Sequence, residues 1–189
     1  MKYNYWLCLS IFLKKQLIVL VLYALVLFCI FIVQNDAQWT PGTSGAKVTQ
    51  SFDIIARGNE MIVHGTNYPF GIYNVDDNTW SEKTVSGTLP PAESFEHTLT
   101  YDNINNRMIK FGGEIGDNSN TRTNDVWEYS FTTEKWTQLV IPKPMPVARN
   151  YHSSIMYENK MIVFGGYGGK PSNNLGDLWV LEDNKWTDA

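Results

Sequence analysis

Two kinds of hydrophobic pattern divide the chain. Residues 17–33 read LIVLVLYALVLFCIFIV, a run of seventeen without a charge. As a helix rising ~1.5 Å per residue it would span roughly 25 Å, near the lower limit for crossing a bilayer. Beyond residue 38 the pattern changes to short apolar or alternating runs, broken by polar clusters such as Asp76-Asp77-Asn78 and Asn103-Ile104-Asn105-Asn106. Alternation with a period of two, punctuated by Asn, Asp and Gly, marks strands joined by hairpin turns. Nothing after residue 38 keeps a helical period over ten residues. The pattern predicts one hydrophobic helix followed by an all-β body. Its most regular stretch predicts four strands, at 97–101, 107–111, 126–131 and 135–140.

The charges around the first run orient it. Lys14 and Lys15 precede it and Asp36 is the nearest charge after it. The positive-inside rule then keeps the N-terminus cytosolic and sends the body across the membrane. Residues 1–37 are read as a signal-anchor helix with its apolar core at 17–33, giving a single-pass protein with an exoplasmic body. The alternative is a signal peptide cut after Ala37 and a secreted body. The run exceeds the ~7–15 apolar residues usual in a signal peptide, and Asn35 stands where a small residue is expected, which favours the anchor.

The body repeats itself. Met161-Ile162-Val163-Phe164-Gly165-Gly166 echoes Met108-Ile109-Lys110-Phe111-Gly112-Gly113, and Met61-Ile62-Val63-His64-Gly65-Thr66 is a weaker copy. The spacings are 47 and 53 residues. Asp125-Val126-Trp127 matches Asp177-Leu178-Trp179, and each unit then reaches a later tryptophan: Trp80, Trp136 and Trp186. Upstream, the stretch from Pro91 to His97 lies over that from Pro146 to His152.

A period near 50 with four strands per unit and a glycine pair after the second strand fits the kelch signature. The body resembles a run of kelch repeats, the blades of a β-propeller, over residues 47–189. The repeats are placed at 47–90, 91–145 and 146–189, the last incomplete. Residues 38–46 are read as a closing strand and linker, because Gln38-Trp39-Thr40 matches the Trp-Thr of Trp136-Thr137 and Trp186-Thr187. Three blades are fewer than the four to eight that usually close a ring, so the expectation is a partial propeller whose remaining blades lie elsewhere. The resemblance implies roles for its marks. Gly65, Gly112, Gly113, Gly165 and Gly166 end strands in a crowded place where a side chain would collide. Trp80, Trp136 and Trp186 fill the wedge between blades, and Trp127 and Trp179 belong to the Asp-x-Trp marks.

Composition and charge narrow the chemistry. The 189 residues carry a net charge of −4, and Lys2, Lys14, Lys15 and Asp36 make the first 38 residues +2, leaving −6 on the body. An acidic body without a basic run excludes nucleic acid as the expected partner. Cys8 and Cys29 both lie in the first segment, so the body has no disulfide framework and no thiolate metal site. Galactose oxidases, copper-radical enzymes on a kelch propeller, need a cysteine crosslinked to a tyrosine, so that chemistry does not carry over. His97 and His152 share a repeat position, which argues for packing. His64 aligns with Phe111 and Phe164, so it is expected as a half-buried ring in an aromatic slot, and the three histidines are not expected to converge.

Other motifs fail on their own terms. Phe164 stands where a phosphate loop ending at Gly169-Lys170 needs its first glycine, and Pro171 replaces its Ser or Thr. The loop from Asp117 to Thr121 lacks a calcium loop's turn glycine, which Arg122 replaces. Glu93 and Glu96, at odd separation on a strand, point to opposite faces. Gly42-Thr43-Ser44-Gly45 is one residue short of a nucleophile elbow. The body has no Asn-x-Ser/Thr sequon. No catalytic residues, cofactor or metal are expected.

The loops after the glycine pairs, at 114–123 and 167–174, are left as candidates. They occupy equivalent positions and should share one face, with Arg122, Tyr167 and Lys170 as partner-binding anchors. The reading is a non-enzymatic protein-protein interaction module on the lumenal or extracellular side, with carbohydrate as a second ligand class and the membrane reached through residues 17–33. The alternative is a piece of a secreted carbohydrate-active or oxidase-like kelch propeller, with its catalytic residues in blades outside this sequence.

Overall fold

Turn chemistry sets the strand boundaries. The hairpin tips carry residues that tolerate the left-handed region, among them Asn78, Asn106, Asn159 and Asn184, all at positive φ. The computed structural model describes residues 52–65, 70–91, 94–116, 121–170 and 174–189. The predicted helix at 17–33 and the strand at 38–46 lie outside them. Among the described residues there is no helix, and so none long and apolar enough to cross a membrane.

The first sheet is a meander of β1 (Asp53–Arg57), β2 (Glu60–His64), β3 (Phe70–Asn74) and β4 (Thr79–Lys83). The connector that follows contributes β5 (Ser86–Gly87) and β6 (Ser94–Phe95). The second sheet comprises β7 (Thr98–Asp102), β8 (Arg107–Phe111), β10 (Val126–Ser130) and β11 (Lys135–Leu139), with the short β9 (Glu114–Ile115) paired to β6. The third holds β12 (Ser153–Tyr157), β13 (Lys160–Tyr167), β14 (Asn174–Glu182) and β15 (Lys185–Asp188). All pairs within these meanders are antiparallel. One parallel strand is added, because β5 runs along β11 through Ser86↔Lys135 and Gly87↔Trp136. The second sheet thus has the predicted four strands plus a fifth taken from the preceding connector.

The first strands of successive sheets lie against one another, β1 on β7 and β7 on β12. Alternation then turns the remaining side chains into the gaps between sheets. Ile55, Ile62 and Phe70 of the first sheet pack against Leu99, Met108, Trp127, Tyr129 and Trp136 of the second. Ile109, Phe111 and Val126, on the opposite face of the second sheet, pack against Met161, Val163, Leu181 and Trp186 of the third. Trp136 and Trp186 are each 1% exposed. Burying an indole removes roughly 200 Å² from water, on the order of 5 kcal/mol at ~25 cal/mol/Å². These tryptophans hold the sheets together.

One motif recurs in both gaps. In the first, the His64 ring meets His97 at 5.4 Å and Trp136 at 5.3 Å. In the second, Phe111 meets His152 at 5.1 Å and Trp186 at 5.0 Å. His64 therefore occupies the slot of Phe111, but fully buried rather than half-buried. Two of the three histidines meet here, His64 Nδ1 lying 3.4 Å from His97 Nε2, while His152 sits in the second gap against Phe111. His64 and His97 meet between sheets because the end of β2 and the entry to β7 face the same gap.

The glycine pairs end a strand only once. β8 stops at Phe111, whereas β13 runs through Gly165-Gly166 with an irregularity in its pairing to β14. The reason for the second glycine is a close approach. A Cβ on Gly113 (φ 100°) would lie 2.6 Å from the Phe95 carbonyl, and one on Gly166 (φ 103°) would lie 2.7 Å from that of Asn150. The chain entering β7 or β12 crosses where a side chain would stand.

Candidate functional site

An antiparallel meander places the start of its first strand and the connection between its second and third strands at one end. At that end the second and third sheets meet around Asn150, which is 1% exposed. Its backbone exchanges hydrogen bonds with Tyr167, whose carbonyl accepts at 3.1 Å and whose N–H donates at 2.8 Å. Its side-chain amide donates to Glu96 at 2.7 Å and to Glu114 at 3.0 Å, and its carbonyl accepts from Arg122 Nε at 3.0 Å. One buried amide thus ties together four chain segments.

Arg122 stacks over the Tyr167 ring at 4.5 Å and faces Glu114 at 3.9 Å. Arg122, Ala148, Tyr167, Gly168, Gly169 and Lys170 line a cavity of about 620 Å³. The three anchors expected from the sequence, Arg122, Tyr167 and Lys170, stand around this one cavity. Lys170 makes no ion pair among the described residues.

Sequence reasoning missed the residues beside the cavity. Glu96 and Tyr151 occupy the same repeat position, and both take φ 56°. A tyrosine in the left-handed region is strained, and such strain gathers at functional sites. Tyr151 is 68% exposed and hydrogen bonds Glu96, whose bond and charge push the phenol up from its ordinary range. The signal available in the sequence was the position itself, next to the repeat-equivalent histidines.

Beneath this surface the charges are structural. Arg149, fully buried, grips Asp177 through two parallel bonds of 2.7 Å and donates to the carbonyls of Gly165 and Val147. Asp177 also accepts from Trp179 Nε1 at 2.7 Å, and the Arg149 bonds hold its carboxyl below the usual range. This is what the Asp-x-Trp mark does in the third sheet. Lys110 is buried, its ammonium pulled down to about 7 by desolvation against the opposing charge of Asp125. Among the described residues no three His, Cys, Asp or Glu side chains cluster so as to hold a metal. Glu93 and the loop at 117–120 lie outside the described residues. At the opposite end, a smaller cavity of about 370 Å³ includes Arg107, which is engaged with Asp102 at 2.8 Å and Glu128 at 2.7 Å.

Comparison with known proteins bears on these repeats. The model of the KLHDC2/KLHL20/DRC7 Kelch-repeats domain matches residues 46–189. The chain belongs to this kelch-repeat family. Its three meanders are kelch blades. It is 34% identical over 149 residues to the leucine-zipper-like transcriptional regulator 1 homolog of Drosophila melanogaster, covering 72% of this chain and 15% of that protein. It is 32% identical over 150 residues to the Rho GTPase-activating protein gacHH of Dictyostelium discoideum, covering 75% and 9%. With the host cell factor homolog hcf-1 of Caenorhabditis elegans it shares 24% over 179 residues, covering 80% and 22%. The chain spans less than a quarter of the length of each of these relatives.

Proposed function

We propose that the chain is a non-enzymatic kelch module that binds an acidic segment of a protein partner at the loop-end cavity. The observation that carries this reading is the convergence of Arg122, Tyr167 and Lys170, from two successive blades, on that cavity. Arginine and tyrosine are the residue types on which interfaces concentrate binding energy, and exposed Tyr151 extends the same surface. Lys170 offers an ammonium, and the 3.9 Å separation leaves the Arg122–Glu114 pair loose enough to share with a partner carboxylate. A sugar fits less well, because the Arg122 guanidinium already covers a face of the ring on which it would stack. Membership of the kelch family supports an interaction module rather than an enzyme.

An arrayed peptide library probed with the full chain in detergent tests the reading. Bound peptides are expected to be rich in Asp and Glu. Arg122→Ala and Lys170→Ala should each weaken binding about three- to tenfold, and added salt should weaken it further. No acidic preference, or unchanged binding by both variants, refutes it. The exoplasmic placement is proposed with it, supported by the uncharged run at 17–33 behind Lys14 and Lys15. Protease added outside sealed microsomes should then leave the body intact, and its digestion would rule that placement out.

A further inference from the structure

Asn150 divides the loop-end surface by charge. Its carbonyl end accepts from Arg122, and its amide end donates to Glu96 and Glu114. The side chain is neutral, so it orients these groups without cancelling their charge. On one side stand Arg122 and Lys170, which line the cavity read above as the seat of an acidic side chain. On the other side an exposed tyrosine lies against a carboxylate. The Tyr151 N–H donates to the Glu96 carbonyl at 3.3 Å, which sets the two residues side by side, and the phenol bonds the Glu96 carboxylate. Tyr151 also feels the charges of Glu114 and Arg122, so its phenol stands at the boundary between the two halves.

A ring beside a carboxylate is a receptor for a guanidinium. The ring face attracts the cation, and the carboxylate takes its planar fork of N–H groups, a match that an ammonium cannot make. This chain builds that trio twice within itself. Arg122 lies over the Tyr167 ring at 4.5 Å beside Glu114, and Arg57 lies over the Phe131 ring at 4.2 Å while bonding Glu60 at 2.6 Å. Tyr151 and Glu96 present the same ring and carboxylate at the surface, with Tyr151 68% exposed.

We propose that the partner segment carries an arginine beside its acidic residue, the guanidinium stacking on Tyr151 and bonding Glu96 while Arg122 and Lys170 hold the carboxylate. One amide touches both halves of the surface, so the two partner side chains are close neighbours. Alternate residues of an extended segment share a face roughly 7 Å apart, which gives an Asp or Glu and an Arg with one residue between them. Charge complementarity selects this occupant over a uniformly acidic one, whose second carboxylate would face Glu96 and Glu114. The inference rests on the acid-binding reading of the cavity and adds the second charge that the surface recognises.

Fluorescence anisotropy with the full chain in detergent tests it. The probes are labelled decapeptides of serine and threonine with a central Glu-Thr-Arg or Arg-Thr-Glu, each also made with Gln replacing the Arg or the Glu. In at least one order, Arg should tighten binding about fivefold over Gln. Tyr151→Ala and Glu96→Gln should each cut that gain to under about twofold while keeping the preference for Glu over Gln, which also shows that the variants are folded. Lys170→Ala should do the reverse, weakening the preference for Glu and keeping the gain from Arg. Equal binding of the Arg and Gln peptides in both orders, with Glu still preferred, overturns this inference and leaves the acid-binding reading intact. A gain that survives both Tyr151→Ala and Glu96→Gln overturns it too, because the arginine then sits elsewhere. A wild type with no preference for Glu overturns the acid-binding reading and this inference together.

Discussion

At the scale of single residues, the strongest commitment is Arg149. Its guanidinium is fully buried and bonded at three groups, with the fork to Asp177 the shortest. Removing it leaves the Asp177 carboxylate, one third exposed, to water and the Trp179 N–H, and takes this donor from the carbonyls of Gly165 and Val147. Arg149→Ala should therefore cost about 1.5–3 kcal/mol in denaturant unfolding. Arg149→Lys keeps the charge but not the two parallel bonds, and should fall between alanine and wild type. A loss under about 1 kcal/mol for alanine would show that the pair carries no stability. The sequence displayed both residues inside repeat marks, yet nothing in it joined them. They are 28 positions apart and meet only once the third blade has formed. The same distance problem hid Asn150, whose partners Glu96, Glu114 and Arg122 come from other stretches of chain.

At the scale of strands, the local signals were sufficient. Arg107–Phe111 falls where the alternating pattern put it, β10 and β11 each stop one residue earlier than expected, and β7 is shifted by one residue at both ends. Hairpin tips are legible because Asn and Gly are chosen there for backbone reasons that operate within a few residues. The role of the second glycine of each pair was legible only in part, because the group it avoids belongs to a different strand. Gly166→Ala puts a Cβ 2.7 Å from the Asn150 carbonyl at φ 103°, and should destabilise by at least about 2 kcal/mol. Gly176→Ala on the neighbouring strand has open space around its Cβ and should change stability by under about 0.5 kcal/mol. Equal effects of the two on the unfolding midpoint would refute the close-approach account. Since Asn150 also braces Arg122, the Gly166 variant should disturb the cavity as well.

At the scale of the whole module, buried histidines tie stability to pH. Burial, then the charge of Lys110, pushes His64 down to about 3; burial, then the charges of Arg149 and Lys110, does the same to His152. Unfolded histidines titrate near ~6.5, so between about pH 6.5 and 3 the unfolded chain binds more protons than the folded one. Stability should fall as the pH is lowered through that window. His64→Phe installs the residue that blade 2 uses at the same position, so it should lose less stability between pH 7 and pH 4 than wild type does. Identical pH dependence in denaturant titrations would exclude His64 as a contributor. That blades pair was legible from the repeat. That the first gap holds a histidine pair where the second holds phenylalanine and histidine was not, because the alignment showed the positions and not which rings face each other. The strand β5 carries a last consequence. Ser86 and Gly87 precede blade 2 in the chain but lie along its outer strand, close enough that a Cβ on Gly87 would collide with the Trp136 carbonyl. The unit that can be transplanted or duplicated intact is therefore not the four-strand meander. A splice made before Ser86 moves blade 2 with its edge covered, whereas one made at Pro91 leaves that edge behind with the donor.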